Sequence, residues 1–282
     1  MNLPFPTDLS GKVAIVTGGS GVLGGVLSEA LALAGAKVVV LARTQEKIDQ
    51  VVNRIHENGG EAYGYSVDVL SKDSLESVRQ EVNEKLGPCN ILINGAGGNH
   101  PKATTSHDYY PSGSLQDDEK SFFDLDPEAV GNLFDMNFLG TLLPSQVFGQ
   151  DMLDQEDATV INVSSLNAMR PLTRIPAYSG AKASVSNFTQ WLAVYFSKVG
   201  IRVNAIAPGF FLTDQNRDLL YEKDGNLSER AEKILSQTPE NRFGEPEELV
   251  GTLLWLVNKQ ASGFVNGIVV PVDGGFSAYS GV

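Results

Sequence analysis

Three residues in the stretch 160–182, VINVSSLNAMRPLTRIPAYSGAK, have types and a spacing that can move a proton. Ser165 precedes Tyr178 by thirteen residues and Lys182 follows it by four. Residues four apart share a face if the segment is helical, so Tyr178 and Lys182 point the same way. Ser165 comes from the end of the strand-like run VINV. A phenol beside a fixed ammonium is expected to be a stronger acid, because the positive charge favours the phenolate. Such a pair serves as proton donor and acceptor to a carbonyl or an alcohol.

The elements that must position these residues begin near the N-terminus. Residues 12–17, KVAIVT, form a short β-branched run bounded by turn residues, which reads as a buried strand. A glycine-rich loop follows, carrying Gly18, Ser20, Gly21, Val22, Leu23 and Gly24. Helical periodicity over 26–35 then stops at Gly35, a C-terminal cap, and 37–42, KVVVLA, is the next strand. Strand, glycine turn, helix and strand make a mononucleotide-binding unit, in which the glycines let the backbone approach a pyrophosphate at a helix N-terminus. Ala42 stands where an acidic residue often holds an adenosine ribose, and Arg43 follows it. An acid there would repel a 2′-phosphate and an arginine would pair with one, so the expectation is NADP(H) slightly ahead of NAD(H).

Further on, 45–58 reads as a helix, 61–67 as a strand ending at Asp68 and Val69, 72–85 as a helix, and 90–93 as a strand. That strand leads into a second small-residue turn, Asn94, Gly95, Ala96, Gly97 and Gly98. Residues 98–126 show no period, and a loop of that length beside a cofactor turn reads as a substrate-side insertion, with Asn99, His100 and Lys102 nearest the turn. A long helix is expected over 127–150, with Asn137 on an apolar face, where a buried amide needs a partner. Strands over 159–163, 201–206 and 267–271, and a helix over 245–256, complete the alternation. Pro208, Gly209 and Thr213 follow the sixth strand, and 210–240 is polar and helix-prone, as a lid would be. About seven strands alternating with helices predict a single α/β domain over 1–282, a Rossmann-type doubly wound parallel sheet.

Composition narrows the partners. Net charge is −13 with no basic run, which argues against nucleic acid. Cys89 is the sole cysteine and the three histidines lack ligand spacing, so neither a disulfide nor a metal site is expected. No apolar run reaches membrane-spanning length and the first residues lack a signal-peptide pattern, so a cytoplasmic protein acting on a small molecule is the expectation.

Taken together, TGGSGVLG (17–24), Asp68-Val69, NGAG (94–97), Asn137, Ser165, YSGAK (178–182), Pro208-Gly209 with Thr213, and the terminal DGG resemble the short-chain dehydrogenase/reductase family, in family order over nearly all of 10–276. The resemblance implies that Tyr178 is general acid in reduction and base in oxidation, that Lys182 lowers its pKa and holds the nicotinamide ribose, that Ser165 binds the substrate oxygen, and that Asn137 supports a proton relay. It implies cofactor contacts from Gly18, Ser20, Gly21, Leu23, Gly24, Asp68, Val69, Asn94, Ala96, Gly97, Pro208, Gly209 and Thr213, and a homotetramer. The loop departs from the short members' TGxxxGxG at Val22.

The insertion GGNHPKATT is similar to the branch of D-mannonate oxidoreductases and fructuronate reductases, which interconvert a sugar acid and its keto form. An anionic substrate calls for a cation, and His100, Lys102, Arg170 and Arg174 are available, with Asn167 close by. Arg170 and Arg174 would form a carboxylate clamp. The alternatives are a 3-oxoacyl-carrier-protein or broad carbonyl reductase, and a non-catalytic dinucleotide sensor, against which the full Asn137, Ser165, Tyr178, Lys182 set argues.

Overall fold

The apolar runs become strands because a parallel sheet covered on both faces asks for continuous Val, Ile and Leu rather than alternation. In a computed structural model, which describes residues 5–213, 220–222 and 224–281, seven strands form one sheet: β1 Val13–Thr17, β2 Lys37–Ala42, β3 Glu61–Ser66, β4 Ile91–Asn94, β5 Thr159–Val163, β6 Arg202–Pro208 and β7 Val269–Val272. Every position of β1, β4 and β6 is buried. All six pairings are parallel, in the order β3-β2-β1-β4-β5-β6-β7.

Helices cover both faces. One core layer packs Leu27 and Leu31 of α1 (Val22–Leu33) and Ile48 and Ile55 of α2 (Gln45–Glu57) with Leu253 and Leu256 near the C-terminus. The other packs Leu75 and Val82 of α3 (Lys72–Lys85), Phe148 of α5 (Gly140–Met152) and Leu192 of α6 (Pro176–Tyr195). Cys89 is buried in this second layer, where burial pushes its thiol up, so it packs and does not react. The chain winds outward in one direction from β1 to β3 and in the other from β4 to β7. The reversal opens a crevice at the C-terminal ends of β1 and β4, where doubly wound sheets bind ligands.

One expectation needs correction. The helix expected over 127–150 is broken into α4 (Pro127–Phe134), a π-helical turn Asp135–Leu139, and α5. Asn137 sits in that turn and its amide donates to the Leu133 carbonyl (2.8 Å), competing with the backbone ladder, while Pro144 deprives the next turn of a donor. The 98–126 segment holds neither strand nor α-helix, as expected, and is tied down. It carries 3-10 turns at Pro101–Ala103 and Phe122–Asp124, and Thr105 donates to the Arg174 carbonyl at 2.8 Å. The expected lid over 210–240 includes 214–219 and 223, which lie outside the described residues; its described part contains α7 (Glu229–Ser236). A further helix, α8 (Val250–Val257), covers β6.

Candidate active site

A cavity of about 510 Å³ runs along the crevice, from the glycine loop after β1 to Ser165, Tyr178 and Lys182. Of the expected cofactor residues, Gly18, Ser20, Gly21, Leu23, Gly24, Arg43, Val69, Ala96, Gly97, Pro208, Gly209 and Thr213 line it. The loop is shaped for close backbone approach. Gly18 has φ 66°, and a Cβ there would lie 2.7 Å from the Gly95 carbonyl oxygen. Gly21 caps α1 with no side-chain hydrogen bond, leaving the first N–H groups of the helix to an anion such as a pyrophosphate. Val22 is the first residue of α1 and itself lines the cavity, so the departure from the short members' loop is accommodated.

Asp68 and Asn94 do not line the cavity. Asp68 is exposed, does not line the cavity, and accepts from the Leu70 N–H at 3.0 Å, so it shapes the turn after β3. Asn94 is buried inside the sheet edge. Its amide donates to Ser145 Oγ (2.9 Å) and Asn162 Oδ1 (2.8 Å), a strut between β4, β5 and α5.

The reactive end is built from α6 and the β5 edge. Pro176 starts α6, which places Tyr178 and Lys182 one turn apart and both at the cavity. Lys182 Nζ donates to the Val163 carbonyl at 2.9 Å and lies 5.8 Å from the Tyr178 ring centre. Ser165 follows β5, caps a 3-10 turn by accepting from the Asn167 N–H (3.3 Å), and hydrogen-bonds Tyr178. Asn137 is fully buried and is exhausted by local bonds. Its amide donates to the carbonyls of Gly98 and Leu133, its Oδ1 accepts from the Gly98 N–H, and its carbonyl accepts from Thr141. Those bonds make it a clamp on the Gly97–Gly98 turn. A Cβ on Gly97 would stand 2.6 Å from Asn137 Oδ1 and 3.1 Å from Lys182 Nζ.

The electrostatics correct one expectation. In this state desolvation, and not the nearby Lys182 ammonium, dominates the phenol. Burial raises the Tyr178 pKa above its usual value of 10.0, opposed by the Ser165 bond, and the same burial lowers Lys182 to about 8. Both groups are desolvated, so each charged form is penalised. The phenol is thus held protonated, the form that donates to a substrate oxygen.

The expected substrate residues are scattered. Asn99 bonds Thr104, and His100 Nδ1 accepts from the Lys102 N–H; all three residues are exposed and outside the cavity. Asn167 is buried in the turn after Ser165. Arg170 donates to the Tyr279 carbonyl (2.9 Å), whereas Arg174 donates to the Ser106 carbonyl and lies 3.8 Å from Asp108. The two arginines therefore do not clamp one anion. Arg174 has φ 71°, a left-handed backbone, and its guanidinium lies on the insertion at Ser106.

Sequence reasoning missed Thr44, Lys47, Val67, Met136 and Ser164, all of which line the cavity. Lys47 carried a usable signal, since it is a cation in the first turn of the helix that follows Arg43.

A family model described as short chain dehydrogenase matches residues 12–224. Over the full length of both chains, this chain is 52% identical to a provisionally assigned D-mannonate oxidoreductase from Haemophilus influenzae, whose crystal structure holds bound NAD, with a TM-score of 0.95. It is 50% identical to the Bacillus subtilis oxidoreductase UxuB over 99% of this chain and 100% of that one. A 2-dehydro-3-deoxy-D-gluconate 5-dehydrogenase from Formosa agariphila is 31% identical over 97% of this chain and 96% of its own. With its seven-stranded doubly wound sheet, its crevice cavity and these full-length likenesses, the chain belongs to the short-chain dehydrogenase family of oxidoreductases.

Proposed function

We propose that this oxidoreductase interconverts a sugar-acid ketone, of the fructuronate type, with the corresponding hydroxy acid of the D-mannonate type, using NAD(P)(H). The observation that carries the proton chemistry is the joining, in one cavity, of a dinucleotide-shaped glycine cradle to Ser165, Tyr178 and Lys182. The sugar-acid class is supported by the likeness to the Haemophilus influenzae and Formosa agariphila proteins.

A nicotinamide bound along the cradle supplies or accepts the hydride. The remaining steps belong to the chain. Ser165 orients the substrate carbonyl oxygen and the protonated Tyr178 donates to that oxygen as negative charge develops. Lys182, anchored on the Val163 carbonyl, places a positive charge near the phenol so that the proton can leave. Asn137 holds the Gly97–Gly98 turn that walls the pocket. In oxidation Tyr178 runs the same path backwards.

For the adenosine end, Arg43 and Lys47 beside the uncharged Ala42 support NADP(H) over NAD(H). A homotetramer is supported by two exposed apolar patches. Trp191, Val194 and Tyr195 are 57%, 74% and 66% exposed on α6, and Phe264 and Ile268 stand out beside β7. Among the described residues no helix is long and apolar enough to cross a membrane.

The test is a substrate panel of D-fructuronate, 5-ketogluconate and acetoacetyl thioesters, each with NADH and NADPH. Turnover of the sugar acids is expected. Turnover of the thioester alone would replace this reading with that of a 3-oxoacyl reductase.

A further inference from the structure

A second cavity, of about 710 Å³, opens beside the first. Phe210 lines it and directly follows Gly209 of the first cavity, and Arg174 lines it from the connection between Ser165 and Tyr178. Its walls are partly apolar, with Leu172, Phe210, Ile234 and Phe276. Three cations converge there, Arg174, Arg230 and Lys233, on a chain whose net charge is −13.

Their acceptors are unevenly shared. Asp108 is bonded by Lys233, receives a hydrogen bond from Thr173, and lies 3.8 Å from Arg174. Arg174 spends its guanidinium on the Ser106 carbonyl. For Arg230, among the described residues, neither a hydrogen bond nor an ion pair is present. It also stands in the first turn of α7, where the helix dipole disfavours a cation and the neighbouring Glu229 and Glu232 are the residue types that belong. Desolvation and the like charge of Arg174 both lower its pKa, with Asp108 as the opposing influence. Two carboxylates, Asp108 and Glu229, line the cavity against the three cations, so the cluster is short of one negative charge, in a cavity beside the one that holds Tyr178.

We propose that Arg230 binds the carboxylate of the substrate, pairing its planar fork with the two carboxylate oxygens while the carbonyl carbon lies at Ser165 and Tyr178. A sugar acid suits this arrangement because its carboxylate and reacting carbon are separated along the chain. The apolar walls accept its C–H faces, and Arg174 is left to hold the insertion in place. This inference rests on the sugar-acid reading of the site and adds a residue that the stretch 160–182 does not contain.

The test compares D-fructuronate with D-fructose, its neutral counterpart bearing the same ketone, in the wild type, Arg230→Gln and Arg230→Lys. A charge-assisted bidentate contact corresponds to a loss of about 10- to 100-fold in kcat/KM. Arg230→Gln is expected to lose that much on fructuronate and to stay within about twofold on fructose, with partial rescue by Arg230→Lys. Calorimetric titration of the NADP+-loaded enzyme with D-mannonate reads the same contact without turnover, as a Kd weakened by about 10- to 100-fold. An unchanged fructuronate preference and an unchanged mannonate Kd in Arg230→Gln would overturn the carboxylate site while leaving the sugar-acid reading intact. Equal losses on fructuronate and fructose would also overturn it, by showing a structural role. A wild type that neither reduces fructuronate nor binds mannonate would overturn both.

Discussion

Replacing Lys182 by methionine is expected to stop turnover and yet leave the fold at neutral pH as stable as the wild type, or more so. The side chain is 4% exposed and burial lowers its pKa from 10.5 to about 8. That gap is a cost of about 3 kcal/mol for holding the charged form, at roughly 1.4 kcal/mol per pH unit. Methionine removes that cost, but leaves the Val163 carbonyl without its 2.9 Å donor, a loss of about 1–3 kcal/mol. The net expectation at neutral pH is a gain of about 0–2 kcal/mol. The sign of the pH dependence is sharper than its size. Below about 8 Lys182 is charged in both states and the folded protein carries the full burial cost. As pH rises from about 8 towards 10.5 the folded lysine has lost its proton while the unfolded one still holds it, so wild-type stability rises relative to the variant. Urea unfolding of both proteins at a series of pH values isolates this term, because the other titrating groups cancel in the difference. The stability of Lys182→Met relative to the wild type should fall by about 3 kcal/mol over that window, turning its advantage into a deficit of about 1–3 kcal/mol. A difference that is flat with pH would refute the claim that the ammonium is buried at a cost.

Two other predictions concern the cofactor cradle. Arg43→Ala should weaken NADP(H) binding by about 10- to 100-fold and NAD(H) by less than about twofold, read from cofactor fluorescence titrations; equal effects on both would remove the 2′-phosphate argument. Gly97→Ala should weaken binding of either cofactor by at least about tenfold, because the new Cβ meets Asn137 Oδ1 at 2.6 Å and forces apart the turn and Lys182. Wild-type affinity in that variant would show that the turn can yield.

What could be read in advance follows from how local each signal is. The βαβ unit, the glycine loop and the Tyr178–Lys182 face were legible because each is set by neighbours along the chain, and β2, β5 and α3 occupy the expected residues. The π turn at Asn137 was not, because it depends on a carbonyl at Leu133 and a loop at Gly98 competing for one amide. The Arg170–Arg174 clamp does not form because each guanidinium is taken by a distant carbonyl, that of Tyr279 for Arg170 and that of Ser106 for Arg174, and spacing along the chain carries no sign of either. The strut made by Asn94 was not legible, because its partners, Ser145 and Asn162, come from distant elements. Arg230 was invisible for the same reason, since only the folded chain brings α7 to the connection after β5. The acidity of Tyr178 was misjudged because a charged neighbour is visible in sequence and desolvation is not.

The claim on which the rest depends is that Tyr178 donates the proton while the cradle holds the hydride carrier. The direct measurement is single-turnover oxidation of bound NADPH by D-fructuronate in the wild type and in Tyr178→Phe, with the NADPH Kd of each measured by fluorescence. Loss of a positioned general acid corresponds to about 10²- to 10⁴-fold in rate. A fall within that range is expected, with a Kd unchanged within about threefold, because the phenol hydroxyl is a proton donor and not a structural support. A Tyr178→Phe enzyme that keeps its rate within about tenfold of wild type would show that Tyr178 is not the proton donor.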